Sequence, residues 1–140
     1  MSTESKEDCV FCRIIKGEIP CDKVYEDKDF FAMLDIHPVN PGHILLMPKK
    51  HSETFLETDD KIIGQIFIAA KKIAKAISKP LNTDNFNFTI NNGKFAGQIV
   101  PHLHIHIIPR YEGNNFPMWP NMNLSDKKMK EIAKKISESI

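Results

Sequence analysis

Three histidines alternate with apolar residues in Pro101-His102-Leu103-His104-Ile105-His106-Ile107-Ile108-Pro109. Successive side chains of an extended strand point to opposite faces. His102, His104 and His106 therefore share one face, and Leu103, Ile105 and Ile107 the other. The aliphatic face can pack on a core while the imidazoles line an open site. Neutral imidazoles can bind metal, accept protons or attack an electrophile. A chance surface cluster would not carry a branched aliphatic at every intervening position. A second group of interest is Cys9-Val10-Phe11-Cys12. Its spacing is that of half a zinc site, though it also fits a redox pair or two ordinary free thiols.

The rest of the chain must position these groups. Its 140 residues suffice for one domain with a sizeable core. Residues 1–8 are polar and expected to be disordered, so the single domain is expected over 9–140. Residues 9–17 read as a short helical turn stopped by Gly17. Strands are expected at 23–26, 30–34 and 43–48. Between the last two lies an irregular loop, Asp35-Ile36-His37-Pro38-Val39-Asn40-Pro41-Gly42, forced by its prolines and glycine. His37 reads as an ordinary loop residue, and Cys21 as a small buried hydrophobe.

A main helix is expected over 59–78, capped by Thr58 and stopped by Pro80. Ile62, Ile63, Ile66, Phe67, Ala70, Ile73, Ala74 and Ile77 form its inward stripe. A strand at 85–91, with Phe86, Phe88 and Ile90 alternating, precedes the histidine strand at 101–109. A final helix from about Ser125 carries Met129, Ile132, Ala133, Ile136 and Ile140 as its stripe. Strands in hairpin succession, a helix and further strands specify an α+β fold with an antiparallel sheet.

Composition excludes some functions. Nineteen basic against 18 acidic residues give a net charge of +1, so no field favours nucleic acid or a membrane surface. No apolar run approaches membrane-spanning length. Three cysteines and a polar start without an export signal point to a reducing, cytoplasmic setting.

The histidine motif, preceded by Gly97-Gln98, resembles that of the histidine triad (HIT) nucleotide hydrolases and transferases. Asp35-Ile36, Gly42-His43, Pro48-Lys49-Lys50-His51 and Asn91-Asn92-Gly93 match in order, so the resemblance runs from about Cys9 to Arg110. It implies a five-stranded antiparallel sheet, a two-fold homodimer and displacement at the α-phosphorus of a nucleotide. His104 would be the nucleophile, forming a nucleotidyl-histidine that water cleaves. His106 and Gln98 would meet the phosphoryl and leaving atoms, and His43 would support them. Asp35 would take the ribose hydroxyls. Phe11, Ile14, Met33 and Ile36 would hold the base, and Asn91 would lie near phosphate and sugar.

Many members carry Ser or Thr where this chain has Ile99, which keeps only its backbone N–H for the phosphate. The resemblance extends to a microbial, zinc-binding branch whose structural ligands match Cys9, Cys12, His51 and His102. Trp119 lies in a tail which, in some members, reaches the partner's site. The implied activity is hydrolysis of purine nucleoside phosphoramidates. Dinucleoside polyphosphate hydrolysis and non-catalytic nucleotide binding are the alternatives.

Overall fold

The computed structural model describes residues 6–114 and 119–140. The elements in order are α1 (Val10–Ile15), β1 (Lys23–Glu26), β2 (Phe30–Leu34), β3 (Ile44–Pro48), α2 (Asp60–Leu81), β4 (Asn85–Thr89), β5 (Ile105–Arg110) and α3 (Asp126–Ser137). The strands form one antiparallel sheet in the order β1-β2-β3-β5-β4. This is the α+β architecture that the strand pattern specifies.

The sheet is covered unequally, and that asymmetry makes the site. On one face α2 buries Ile66, Ala69, Ala70 and Ile73 against Phe30, Ala32, Leu46, Leu103, Ile105 and Ile107. On the other, α1 buries Phe11, Cys12 and Ile14 against Phe31, Met33, Leu45 and Met47. Thus β2 and β3 are covered on both faces and read as continuous apolar runs. The six residues of α1 are too few to reach across the sheet. Beyond its reach, β5 alternates: Ile105, Ile107 and Pro109 are buried, while His106, Ile108 and Arg110 are partly open.

Local chemistry explains the boundaries. Gly17, at φ +84°, ends α1, with its N–H on the Ile14 carbonyl. The α2 start differs from the Thr58 cap expected. Asp59 is the capping position, but its side chain makes no capping hydrogen bond. The Thr58 hydroxyl instead donates to the Thr54 carbonyl and lies 2.7 Å from Ser52 Oγ. Pro80 does not stop the helix either. It sits inside the last turn, where only one backbone bond is lost, and Asn82 at φ +54° ends α2.

Other expectations need correction. Phe67 lies at the flank of the α2 stripe and is half exposed, its expected place being taken by Ala69. Phe88 is likewise half exposed, on edge strand β4. Cys21 is exposed, because it sits on an irregular segment before β1. No residue of α3 is buried, so its apolar stripe contributes nothing to the core of this chain. Of the N-terminal tail, residues 1–5 lie outside the described residues, but residues 6–8 are ordered. They form a turn in which the Lys6 carbonyl accepts the Cys9 N–H.

Gly42 connects the loop after β2 to β3 at φ +88°, and a Cβ there would lie 2.7 Å from Leu81 Cδ1 and 3.2 Å from Pro109 Cγ. Gly42→Ala is therefore expected to destabilise the fold by about 1–3 kcal/mol, from left-handed strain and overpacking together. Urea unfolding checks this through a lower midpoint at unchanged slope.

Candidate active site and metal centre

The histidine segment does not enter the sheet where its pattern begins. β5 starts only at Ile105. Upstream, Pro101 has no N–H, and the Leu103 N–H bonds the Ser52 carbonyl instead of a strand. The His102 carbonyl accepts from the His104 ring. These partners replace the ladder, so residues 101–104 peel away from β3. The shared face survives, since Phe11 meets the rings of both His102 and His104 edge-on, with centroids at 5.8 and 5.1 Å.

The hydrogen-bond partners determine which ring nitrogen of each histidine carries the proton. His104 Nδ1 lies 2.7 Å from the His102 carbonyl, so it donates there and Nε2 keeps a free lone pair. His43 Nδ1 accepts the Val39 N–H at 2.9 Å, which puts the His43 proton on Nε2. That atom lies 2.9 Å from His106 Nδ1 and donates to it, leaving the His106 proton on Nε2. Asp35 Oδ2 stands 3.5 Å from His43 Nε2 on the same side. The result is one acceptor nitrogen on His104 beside one donor N–H on His106, their ring centroids 5.1 Å apart. Asp35, His43 and His106 also bring ligand-type atoms within 4.8 Å of one another. Yet His43 presents a proton rather than a lone pair to the other two, so the trio is a hydrogen-bond relay.

Burial holds these rings neutral. It pushes His104 below the ordinary imidazole range. His106 is lowered to about 4, first by burial and then by its neighbours His104 and His43. His43 is lowered by burial, which outweighs the nearby Asp35 carboxylate.

These groups line a cleft of about 690 Å³, within the usual range for small-molecule sites. Strand order lays out its floor. Met33 on β2 and Leu45 on β3 lie toward one side, His106 and Ile108 follow on β5, and Thr89 stands on β4. Phe11, Ile14, Asp35, Ile36, Asn91 and Ile99 line it as well.

Gln98 does not. Its amide Oε1 accepts the Gly93 N–H at 2.8 Å, and Nε2 donates to the Glu53 and Val100 carbonyls at 2.6 and 3.0 Å. All its donors are occupied, and the side chain braces the loop. His37, Cys21, Thr89 and Ile108 are lining residues that sequence reasoning missed. Thr89 and Ile108 had a signal, for both flank the histidine face in the β4–β5 register. His37 and Cys21 had none.

The second cluster sits behind the first. Cys9 and Cys12 are buried thiols. Cys9 Sγ lies 3.3 Å and Cys12 Sγ 3.6 Å from His102 Nδ1, and His51 Nδ1 lies 3.2 Å from His102 Nδ1 and 3.4 Å from Cys12 Sγ. His102 Nε2 donates to the Pro48 carbonyl at 2.8 Å, so its Nδ1 turns a lone pair into the group. Two imidazole nitrogens and two sulfurs thus converge. Zinc bonds of about 2.0–2.3 Å put tetrahedral ligands about 3.3–3.8 Å apart, close to the spacings found here. The Nε2 of His51 is buried without a hydrogen-bond partner among the described residues, so nothing on that side orients its ring. The donor set fits a closed structural zinc site.

Comparison with known proteins gives a consistent picture. The HIT domain family matches residues 16–113. An uncharacterized HIT-like protein of Methanocaldococcus jannaschii is 47% identical over 128 residues, which cover 89% of this chain and 98% of that one. The adenosine 5′-monophosphoramidase of Schizosaccharomyces pombe is 38% identical, over 94% of this chain and 98% of its own. The crystal structure of a zinc-bound histidine triad family protein from Mycobacterium smegmatis superposes with a TM-score of 0.75 at 32% identity. It covers 95% of this chain and 98% of that one.

Two outcomes follow from the geometry. Protein prepared without chelator is expected to carry about one zinc per chain by elemental analysis. Cys12→Ser is expected to lose it and to melt at lower temperature, since metal binding adds to folding free energy. In the pH profile, protonation removes the His104 lone pair and the His106 acceptor. Both pKa values are lowered, that of His106 to about 4, so turnover should persist below pH 6.5 and be lost only on further acidification. Initial rates across that range check this.

Proposed function

This chain belongs to the HIT domain family, and on that premise we propose that it hydrolyses purine nucleoside 5′-phosphoramidates, releasing the nucleoside monophosphate and an amine. The observation that carries the reading is the pairing of an acceptor nitrogen on His104 with a donor N–H on His106 in one cleft. A nucleophile and an electrophilic donor side by side suit displacement at phosphorus.

In the first step His104 Nε2 forms a bond to the α-phosphorus. The P–N bond breaks, and the amine leaves with that electron pair and takes a proton from water. The imidazolium so formed keeps its Nδ1–H on the His102 carbonyl. In the second step a water oxygen bonds to phosphorus and loses a proton. The N–P bond breaks, and neutral His104 and the monophosphate are restored. His106 Nε2–H donates to a phosphoryl oxygen throughout, held by the His43 relay. Phe11, Ile14, Met33 and Ile36 supply apolar surface for the base, and the Asp35 carboxylate is the acceptor for the ribose diol. Asn91 lines the cleft as a further polar contact, its Nδ2 3.4 Å from the Gly97 carbonyl.

Dinucleoside polyphosphates fit less well. None of the described residues lining the cleft is Lys or Arg, and the histidines are held neutral. A single phosphoryl group can be met by N–H donors, but a polyphosphate chain brings several charges that need cations. A non-catalytic nucleotide binder would not require the free His104 lone pair.

Cys9, Cys12, His51 and His102 would hold a structural zinc ion, which would tie α1 to the segment that carries His102. A homodimer is supported by the open edge of β4 and by exposed Phe67, Ile68 and Phe88. No helix of the described chain is long and apolar enough to cross a membrane. Unpaired thiols at Cys9 and Cys12 suit the reducing cytoplasm.

The test is a substrate panel read with one variant. Adenosine 5′-phosphoramidate is expected to turn over much faster than diadenosine tetraphosphate. His104→Ala is expected to lower that rate at least about 10³-fold while leaving AMP affinity within a few-fold. Equal or better cleavage of the tetraphosphate would favour the polyphosphate reading.

A further inference from the structure

Ile99 stands at the cleft with 90% of its surface exposed. An isolated exposed aliphatic is ordinary, but this one is held in place. The flanking Gln98 ties its amide to the Gly93 N–H and to the Glu53 and Val100 carbonyls. The Gln98 N–H bonds the Gly93 carbonyl, and Gly97 adopts φ +89° to close the turn. So braced, the backbone cannot turn Ile99 inward, and its branched side chain is stiff at χ1.

The other surfaces of the cleft already have occupants in the reading above. Apolar residues of α1 and β2 face the base, Asp35 faces the ribose, and His104 and His106 face the phosphoryl group. On the loop side Ile99 and Val100 present aliphatic surface, and none of the described lining residues is a cation.

Building on that reading, we propose that Ile99 is a specificity-determining residue that selects leaving amines carrying an apolar, aromatic or branched aliphatic, side chain. The braced loop supplies the preorganisation, so contact with such a group removes apolar surface from water on both partners without ordering the protein. A polar leaving group gains nothing from Ile99 and loses water to it. A hydroxyl side chain at this position would instead offer a hydrogen bond and no apolar contact.

The experiment compares adenosine 5′-phosphoramidates of phenethylamine and of ethanolamine, two primary amines of similar basicity. For the unmodified protein, kcat/KM is expected to favour the phenethylamine conjugate by about tenfold or more. Ile99→Ser should bring that ratio to within about threefold, and Ile99→Val should keep most of it. The ratio is the readout, so a general loss of rate in either variant does not affect it. A ratio near one in the unmodified protein, or an unchanged ratio in Ile99→Ser, overturns the proposal. If Ile99→Ser alters oligomeric state by light scattering and leaves the ratio alone, Ile99 is an interface residue and the proposal fails. Cleavage of neither conjugate would refute phosphoramidate hydrolysis itself, and this inference with it. Cleavage of both without preference would refute only the role of Ile99.

Discussion

The site depends on one backbone carbonyl. The oxygen of His102, 2.7 Å from His104 Nδ1, holds the proton on that nitrogen and leaves the Nε2 lone pair free. An imidazole without such a partner would divide its proton between both nitrogens and turn about its side-chain bonds. Residues 101–104 lie outside the ladder, which begins at Ile105, so no strand bond competes for that oxygen. The structure compensates by giving those residues other partners. Leu103 bonds the Ser52 carbonyl, the His102 ring bonds the Pro48 carbonyl, and Phe11 packs on both rings.

This arrangement links the two histidine-rich clusters. His102 belongs to both: its ring faces Cys9, Cys12 and His51, and its carbonyl faces His104. Phe11 lies between the two cysteines in sequence and against the His104 ring in space. A turn of six residues, too small to be stable alone, therefore forms one wall of the site. Four converging sulfur and nitrogen donors suit a zinc ion to hold that turn in place. On the opposite side of β5, the aliphatic residues are anchored against α2 by ordinary core packing.

The cleft has no cationic side chain among the described residues that line it. Its histidines are kept neutral by burial, so they act through directed hydrogen bonds and a lone pair rather than through charge. Such donors preorganised at a reaction centre stabilise a phosphoryl group as it reacts. They give little to a ligand whose charge lies further along a chain.

Much of this was legible in the sequence, because it rests on short-range periodicity. Alternation at Leu103, Ile105 and Ile107 against the histidines specified a strand with one apolar face, and the β2 and β3 runs specified buried strands. Cys9-x-x-Cys12 announced a ligand pair whose partners the sequence could name only by resemblance. Other features were decided by tertiary contacts. Gln98 belongs to the motif, yet three backbone groups from two loops capture its amide and turn it away from the cleft. Thr58 is a good capping residue in isolation, but Ser52 and Thr54 take its hydroxyl. Cys21 and His37 line the cleft because irregular segments carry them there, with no repeat to betray it. Periodicity fixes which side of an element a residue occupies, since that follows from backbone geometry within a few residues. Which polar group it bonds depends on chain segments tens of residues away, and only the folded chain brings those into reach.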